Sequence, residues 1–128
     1  AYSALELARD LKADDPRVYD GLGSVEIRRG NHVLAEKFFK QAISLDDKYD
    51  RAYVHLAYLA QVQNNIFAAI ELLERALSIN QMNYRARNNL AVLYRSINQL
   101  QKSEHLLLQA KHSQRELDAV VRHNLKLE

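Results

Sequence analysis

The chain has no cysteine among its 128 residues, which excludes disulfide bridges and thiolate metal sites. It also has no tryptophan, only three glycines and a single proline. Glycine and proline interrupt helices, so their scarcity beside many alanine, leucine, glutamate and arginine residues favours a helical fold. No apolar run approaches the roughly 20 residues that span a bilayer, so this segment is not expected to insert into a membrane.

The chain has little excess of positive over negative charge. The chain has 18 Lys and Arg residues against 16 Asp and Glu residues, a formal net charge of +2 at pH 7. Such a small excess gives no bulk indication of nucleic-acid binding. Hydrophobic residues make up 48% of the chain and charged residues 27%, which is typical of a globular domain and not of a disordered segment.

The sequence lacks the motifs that carry chemistry. It has no glycine-rich phosphate loop, no nucleophile elbow and no His-Glu-x-x-His metal motif. His105 and His112 are seven residues apart on one predicted helix, but a third metal ligand is missing. We therefore predict that the chain is not an enzyme, holds no metal ion and requires no cofactor.

An internal repeat of 34 residues organises the chain, and such repeats are typical of stacked helical units. Alanine recurs at this interval at positions 8, 42, 76 and 110. Other columns keep the same register. They are Leu5, Phe39, Leu73 and Leu107; the small residues Ala1, Ala35, Ala69 and Ser103; Leu22, Leu56 and Leu90; and Gly23, Ala57 and Ala91.

Each repeat reads as two helices joined by a turn. Tyr19, Leu22 and Gly23 are spaced for one helical face, and Ala35 and Phe39 belong to the face of a second helix. Glycine and asparagine tolerate the left-handed conformation that ends a helix. The predicted turns are Gly30-Asn31, Asn64-Asn65 and Asn98-Gln99. The predicted helices cover about 2–12, 16–29, 33–45, 50–63, 67–79, 84–97, 101–112 and 115–127.

The small-residue columns predict close helix packing. Where Gly23, Ala57 and Ala91 meet the column of Ala35 and Ala69, helix backbones can approach one another, and large neighbours such as Phe39 fill the remaining space. We therefore expect Ala57→Leu to destabilise the fold. An unchanged melting temperature would contradict that placement.

The period and the pattern of large and small positions resemble those of the tetratricopeptide repeat family. The segments that carry the match are Leu56-Ala57, Ala69, Leu73 and Ala76 in one repeat, and Leu90-Ala91, Tyr94, Leu107 and Ala110 in the next. The resemblance implies an all-α, right-handed superhelical solenoid of antiparallel helix pairs. The chain departs from the family where it has Arg87 at the first large position, and it lacks the usual tryptophan and inter-repeat proline.

On this reading, residues 1–128 form a single tetratricopeptide-like domain. It comprises a half repeat at 1–15, full repeats at 16–49, 50–83 and 84–117, and a capping helix at 115–128. The half repeat indicates that the chain is part of a longer protein or that a first helix is missing. The final helix has Leu117, Val120, Val121 and Leu125 on one face, as expected of a cap that seals the last apolar surface.

The resemblance implies that the first helix of each pair lines an inner groove. Asp20, Val54 and Val92 are placed on this surface by the repeat register. The candidate ligand-binding residues are Arg17, Arg28, Arg51, His55, Tyr58, Arg85, Asn88, Asn89, Arg95 and Arg122. Arginine dominates this set, and its planar fork of donors suits carboxylates. The groove is therefore expected to bind a protein or peptide. The arginines favour an acidic ligand, and the alternative is that they only solvate a helical face.

The predicted function is a protein–protein interaction module, an adaptor or assembly factor. The carboxylate clamp with which some family members hold chaperone C-termini is disfavoured, because an acid, Asp20, stands where that clamp has lysine. Two other interpretations stay open. One is a scaffold that self-associates through its exposed terminal helices. The other, which the near-neutral charge disfavours, is an RNA-binding helical repeat.

Overall fold

The computed structural model describes residues 14–127, with side chains described except at 110, 113 and 120–127. The predicted helix at 2–12 therefore lies outside the described residues. Within them the secondary structure is entirely helical, which confirms the predicted all-α class. The described helices are α1 (Pro16–Arg28), α2 (His32–Leu45), α3 (Asp50–Val62), α4 (Ile66–Ile79), α5 (Tyr84–Ser96) and α6 (Leu100–Leu127).

Helix α1 begins as the sequence predicts. Pro16 occupies the first turn, where its missing N–H removes no helical hydrogen bond. Asp15 is the N-cap residue, and its side chain accepts a hydrogen bond from the backbone N–H of Arg17 at 2.9 Å. This bond satisfies one of the free donors at the helix start.

The turn inside each helix pair has the predicted left-handed residue. Gly30, Asn64 and Asn98 have φ values of 81°, 60° and 63°. In the first turn the N–H of Asn31 donates to the carbonyl of Glu26 at 2.9 Å, and equivalent bonds occur in the other two turns. These bonds satisfy the last carbonyls of the first helix, which explains why it ends at the same repeat position each time.

The turns between repeats are also equivalent. The Asp46 carboxylate accepts from the backbone N–H of Lys48 at 3.0 Å, and the Asn80 side chain accepts from the N–H of Met82 at 3.0 Å. Asn80 also donates its side-chain amide to Asp50 at 3.1 Å, which ties the end of α4 to the start of α3. Polar side chains thus fix both connections.

The described helices fall into two compact units, divided after Asn83. In unit 1, α1 packs on α2, α2 on α3, and α3 on α4, with a smaller contact between α1 and α3. Apolar side chains from the first three helices form its main core. The buried members of that core are Tyr19, Ala35, Phe38, Phe39, Ala42, Ala52, Leu56 and Leu59.

The small residues of unit 1 lie at helix contacts, as predicted. The Phe39 ring lies against the backbone of Gly23, so close that an added Cβ would be 2.5 Å from a ring carbon. Ala57 and Ala69 are fully or almost fully buried. The absence of larger side chains at these positions therefore allows the helices to approach.

Unit 2 is the helix pair α5 and α6. Its core includes Leu90, Leu93 and Tyr94, which are all buried. Ser103 is buried, and its hydroxyl donates to the carbonyl of Ala91 at 2.8 Å. Arg87 is buried as well, with its guanidinium 5.8 Å from the centre of the Tyr84 ring.

The predicted break between the third helix pair and a separate capping helix is wrong. α6 runs without interruption over 28 residues. The segment around the expected break contains no glycine or proline, and two side-chain pairs span it. His112 lies 3.0 Å from Glu116, and the Gln114 amide donates to Asp118 at 3.1 Å. Pairs at this spacing stabilise a helix, so the chain continues where a turn was expected.

Candidate partner-binding faces

The first helices of the second and third pairs each expose a polar face. On α5 the exposed residues include Arg85, Asn88, Asn89, Val92 and Arg95. At 100° per residue these positions cover about one third of the helix circumference. We call this surface the α5 face. The repeat register predicted all five residues to lie together on one surface.

The α5 face has no negative charge of its own, since α5 contains no Asp or Glu. Among the described residues, no carboxylate forms an ion pair with Arg85 or Arg95. Between these arginines lie two asparagine amides and the apolar side chain of Val92, which is 63% exposed. The face thus combines charged donors, amides that both donate and accept, and a small apolar contact area.

A second surface, the α3 face, consists of Arg51, His55 and Tyr58. Arg51 is exposed and, within the described part of the chain, has no ion-pair partner. Tyr58 is 47% exposed, so its ring is accessible to a ligand. His55 is different, because only 17% of its side chain is exposed.

His55 belongs to a hydrogen-bonded cluster that joins α1 to α3. Its Nδ1 lies 2.7 Å from one carboxylate oxygen of Asp20, and the Tyr49 hydroxyl donates to the other oxygen at 3.3 Å. The imidazole also packs against the Phe39 ring, with centroids 4.9 Å apart. Asp20 is 5% exposed and Val54 is buried. Their predicted position on the groove surface is therefore wrong, because both side chains turn into the helix packing.

The candidates on α1 are also placed. Arg17 is exposed, but its guanidinium forms an ion pair with the Asp15 carboxylate, and the shortest N–O distance is 2.6 Å. This pairing raises the pKa of Arg17 and holds the pKa of Asp15 below its usual value. Arg28 is exposed in the last turn of α1. The side chain of Arg122, the last candidate, lies outside the described residues.

Ionisation of Tyr49 is strongly disfavoured. Burial raises the pKa of Tyr49 to about 12, and the nearby Asp20 charge acts in the same direction. Arg51 has the opposite, smaller effect. The Tyr49 hydroxyl therefore stays protonated at neutral pH and remains a donor to Asp20.

Sequence reasoning missed this cluster, although a signal was present. Asp20 and His55 are one repeat plus one residue apart, so they occupy adjacent positions on consecutive first helices. The repeat register by itself assigns each side chain to a surface, and it does not show which side chains on different helices are paired.

Among the described residues, no group of three or more histidine and acidic side chains is placed to hold a metal ion. In the described part of the chain, no helix combines the length and the apolar character needed to cross a bilayer.

Comparisons with known proteins agree with this geometry. Tetratricopeptide repeat models match residues 16–49 and 85–117. A crystal structure of MamA is similar with a TM-score of 0.74 and 21% identity, over 83% of this chain and 62% of that one. The first tetratricopeptide domain of Spaghetti (RPAP3), bound to the HSP90 peptide SRMEEVD, is similar with a TM-score of 0.60 and 21% identity, over 66% and 68%.

One curated relative is similar in sequence. The Sol locus transcriptional repressor of Clostridium acetobutylicum is 27% identical over 74 residues, which is 58% of this chain. The chain spans only 23% of that relative's length. The two matched repeats, the helix pairs and the similarity to solved tetratricopeptide structures lead to one conclusion. The chain belongs to the tetratricopeptide repeat family.

Proposed function

We propose that this chain is a protein–protein interaction module, and that the α3 face of unit 1 and the α5 face of unit 2 are each suited to bind an acidic segment of a partner protein. The fold supports the general role, since a similar domain, that of RPAP3, binds a peptide. The acidic ligand is the more specific part of the proposal. It rests on the side chains that the two faces present.

The observation that carries the proposal is the α5 face. Arg85 and Arg95 flank Asn88 and Asn89 on an exposed surface of a helix that has no acid. Second helices differ, because their basic and acidic residues are mixed, as in the Lys40–Glu36 ion pair at 3.1 Å on α2. An unneutralised cationic face attracts acidic ligands and speeds their arrival.

The chemistry of each face, taken by itself, suits an acidic peptide. Arginine can bind a carboxylate through two parallel hydrogen bonds. The asparagine amides of the α5 face can pair with the N–H and C=O groups of a peptide backbone, and Tyr58 can pack against an apolar side chain. Because helices hold these groups in place before binding, little ordering of the receptor is required.

Binding is not expected to copy a lysine-based carboxylate clamp. The first-unit position of that clamp corresponds to Asp20, which is buried and bonded to His55. The acidic peptide SRMEEVD, which is bound by the RPAP3 domain, serves as the acidic probe. An amidated form with its acids replaced by amides, SRMQQVN, separates a requirement for charge from a requirement for shape.

The test combines partner capture with direct binding. The wild-type chain is used as bait in a lysate of the source organism, beside Arg51→Glu and the double variant Arg85→Glu/Arg95→Glu. Lys37→Glu is the matched control, since it makes the same charge reversal on an exposed position of α2. Circular dichroism establishes that all four baits keep their helicity. Fluorescence anisotropy then measures the affinity of each for labelled SRMEEVD and SRMQQVN.

We expect the wild type and Lys37→Glu to capture the same protein and to prefer the acidic probe. Loss of partner capture and of SRMEEVD binding in an arginine variant would support the proposal. Comparison of Arg51→Glu with Arg85→Glu/Arg95→Glu shows which face is used. If all four baits retain the same partner, the interaction does not use these faces. If neither probe binds or both bind equally, the acidic-ligand proposal is wrong.

A second candidate function, self-association, is favoured by α6. Leu100, 52% exposed, and Leu107, 39% exposed, are seven residues apart and therefore lie on one face of this helix. Multi-angle light scattering of the wild type and of Leu100→Glu/Leu107→Glu tests this candidate. A dimer that the double substitution dissociates would support it, and a monomeric wild type over the accessible concentration range would remove it.

A further inference from the structure

The His55 ring is fixed by its neighbours within unit 1. Nδ1 is 2.7 Å from the Asp20 carboxylate, and the Phe39 ring lies against the imidazole at an interplanar angle of 30°. Tyr49 bonds the second carboxylate oxygen, so Asp20 is itself held in position. Asp20 is buried, whereas part of the His55 side chain remains exposed beside Arg51 and Tyr58 on the α3 face.

The Asp20 carboxylate decides which nitrogen of His55 carries a proton. An ionised carboxylate only accepts hydrogen bonds, so Nδ1 carries a hydrogen in both charge states of the ring. In the neutral ring, Nε2 then has a lone pair and acts as an acceptor. In the protonated ring, Nε2 becomes a positively charged donor. Among the described residues, no group forms a hydrogen bond with Nε2.

The ionisable groups near the ring include Asp20, Tyr49 and Arg51. α1 contributes Asp20, and Tyr49 precedes α3 and stays protonated. On α3 itself, Arg51 is one turn before His55. The side chain of α2 that contacts the ring is Phe39, which does not titrate. Arg17 and Asp15, at the start of α1, neutralise each other through their ion pair. Arg51 is therefore the unpaired cation that would share an anionic ligand with His55.

We infer that the Asp20–His55 pair makes acidic-peptide binding at the α3 face dependent on pH. Protonated His55 donates its Nε2–H to a ligand carboxylate, and Asp20 compensates the ring's charge from the buried side. When the ring loses its proton, Nε2 presents a lone pair to the same carboxylate, and the contact becomes repulsive. Asp20 is a positioning residue, since it acts on the ligand only through His55. The inference rests on the proposed function.

The test measures the affinity of labelled SRMEEVD at pH 6 and pH 8, where its carboxylates stay ionised. We expect binding by the wild type to be about tenfold weaker at pH 8, because one charge-assisted hydrogen bond is lost. His55→Gln should bind with the same affinity at both values. His32→Gln, which removes the other histidine of described unit 1, should retain the wild-type dependence.

Asp20→Asn separates positioning from a purely structural role. It keeps the side-chain shape, but its amide can donate to Nδ1 as well as accept from it, so the proton of neutral His55 is no longer confined to Nδ1. Nε2 can then donate to the ligand at pH 8, and the difference in affinity between pH 6 and pH 8 should shrink. A structural defect would weaken binding equally at all pH values. Long-range proton–nitrogen spectra add a readout without ligand, because neutral His55 should carry its proton on Nδ1 at pH 8 in the wild type.

Each result decides a different point. Equal wild-type affinity at pH 6 and pH 8, or an unchanged pH dependence in His55→Gln, would overturn the inference while leaving the proposed function standing. A proton on Nε2 at pH 8 would also overturn it. If SRMEEVD binds at neither pH, the acidic-ligand proposal fails first, and this inference fails with it.

Discussion

The ring of Phe39 occupies the space that a side chain at Gly23 would need. A Cβ built at Gly23 would lie 2.5 to 2.8 Å from three ring carbons, well inside normal van der Waals contact. Phe39 is completely buried, so its ring has little freedom to move away. This contact joins α1 to α2.

Gly23→Ala is therefore expected to destabilise unit 1, by about 1–3 kcal/mol, because the core must shift to accept one methyl group. Gly21→Ala, two residues earlier in α1, is the matched control, since its Cβ would meet no atom within 4 Å. It should increase stability by about 0.5–1 kcal/mol through helix propensity. Urea unfolding measures both, and equal effects would refute the packing argument.

Ala57→Leu is expected to cost about 1–3 kcal/mol in the free energy of unfolding. Ala57 is 1% exposed, so the added carbons can enter only by forcing neighbouring side chains from their positions. Ala119→Leu adds the same atoms at an exposed position of α6 and should change stability by less than about 0.5 kcal/mol. Thermal unfolding of the two variants, compared with the wild type, decides the point.

The left-handed turn at Asn64 gives a further prediction. Asn64→Ala should lower the free energy of unfolding by about 1 kcal/mol, because alanine lacks the short polar side chain that lets asparagine adopt the left-handed conformation at a φ of 60°. Asn64→Gly should be neutral or stabilising, since glycine adopts this conformation without that strain. Chemical denaturation distinguishes the two substitutions. Similar losses for both would indicate that the asparagine side chain, and not backbone strain, matters here.

Tyr49 predicts a loss of stability at alkaline pH. Its folded-state pKa of about 12 lies above the ordinary value of 10.0, so the unfolded chain loses the proton first as pH rises. The stability contributed by the neutral hydroxyl is complete below about pH 10 and disappears as the pH passes about 12. Tyr49→Phe should therefore lose less stability than the wild type across this window. Tyr58→Phe, at an exposed ring, should follow the wild-type curve.

The continuity of α6 can be tested by interrupting it. Gln114→Pro should reduce the helical ellipticity of the chain, since proline removes a hydrogen bond and clashes with the preceding turn, at a cost of about 3 kcal/mol. Gln114→Ala should leave the ellipticity unchanged. If the proline variant also keeps its ellipticity, the helix already ends near this residue and the separate capping helix would be restored.

The 34-residue register predicted the helices, their turns and the small residues at helix contacts. These features depend on local rules, such as the left-handed conformation at Gly30, that repeat once per unit. The end of the last repeat was not predicted, because helix formers and i, i+4 pairs at 112–118 leave nothing to stop α6. The repeat pattern could not predict that α6 continues, because the segment at 112–118 has no equivalent elsewhere in the chain.

The candidate site was less predictable than the fold. The register placed Arg85 and Arg95 on an exposed face, which needed only helical geometry. The register also placed Asp20 on the surface of the inner groove, but the structure shows that Asp20 is buried. A charged residue is drawn inward when a partner on another helix compensates it, here His55. Such pairs depend on three-dimensional packing between repeats.

Unit 1 is built almost entirely from contacts between helices that follow one another in sequence. Its contact order is therefore low, and chains of this kind fold quickly because few distant segments must meet. Because each helix contacts mainly its neighbours in sequence, unfolding is cooperative only over neighbouring helices. One helix pair can open while the next stays closed, so amide hydrogen exchange should report graded protection along the chain in place of one global value.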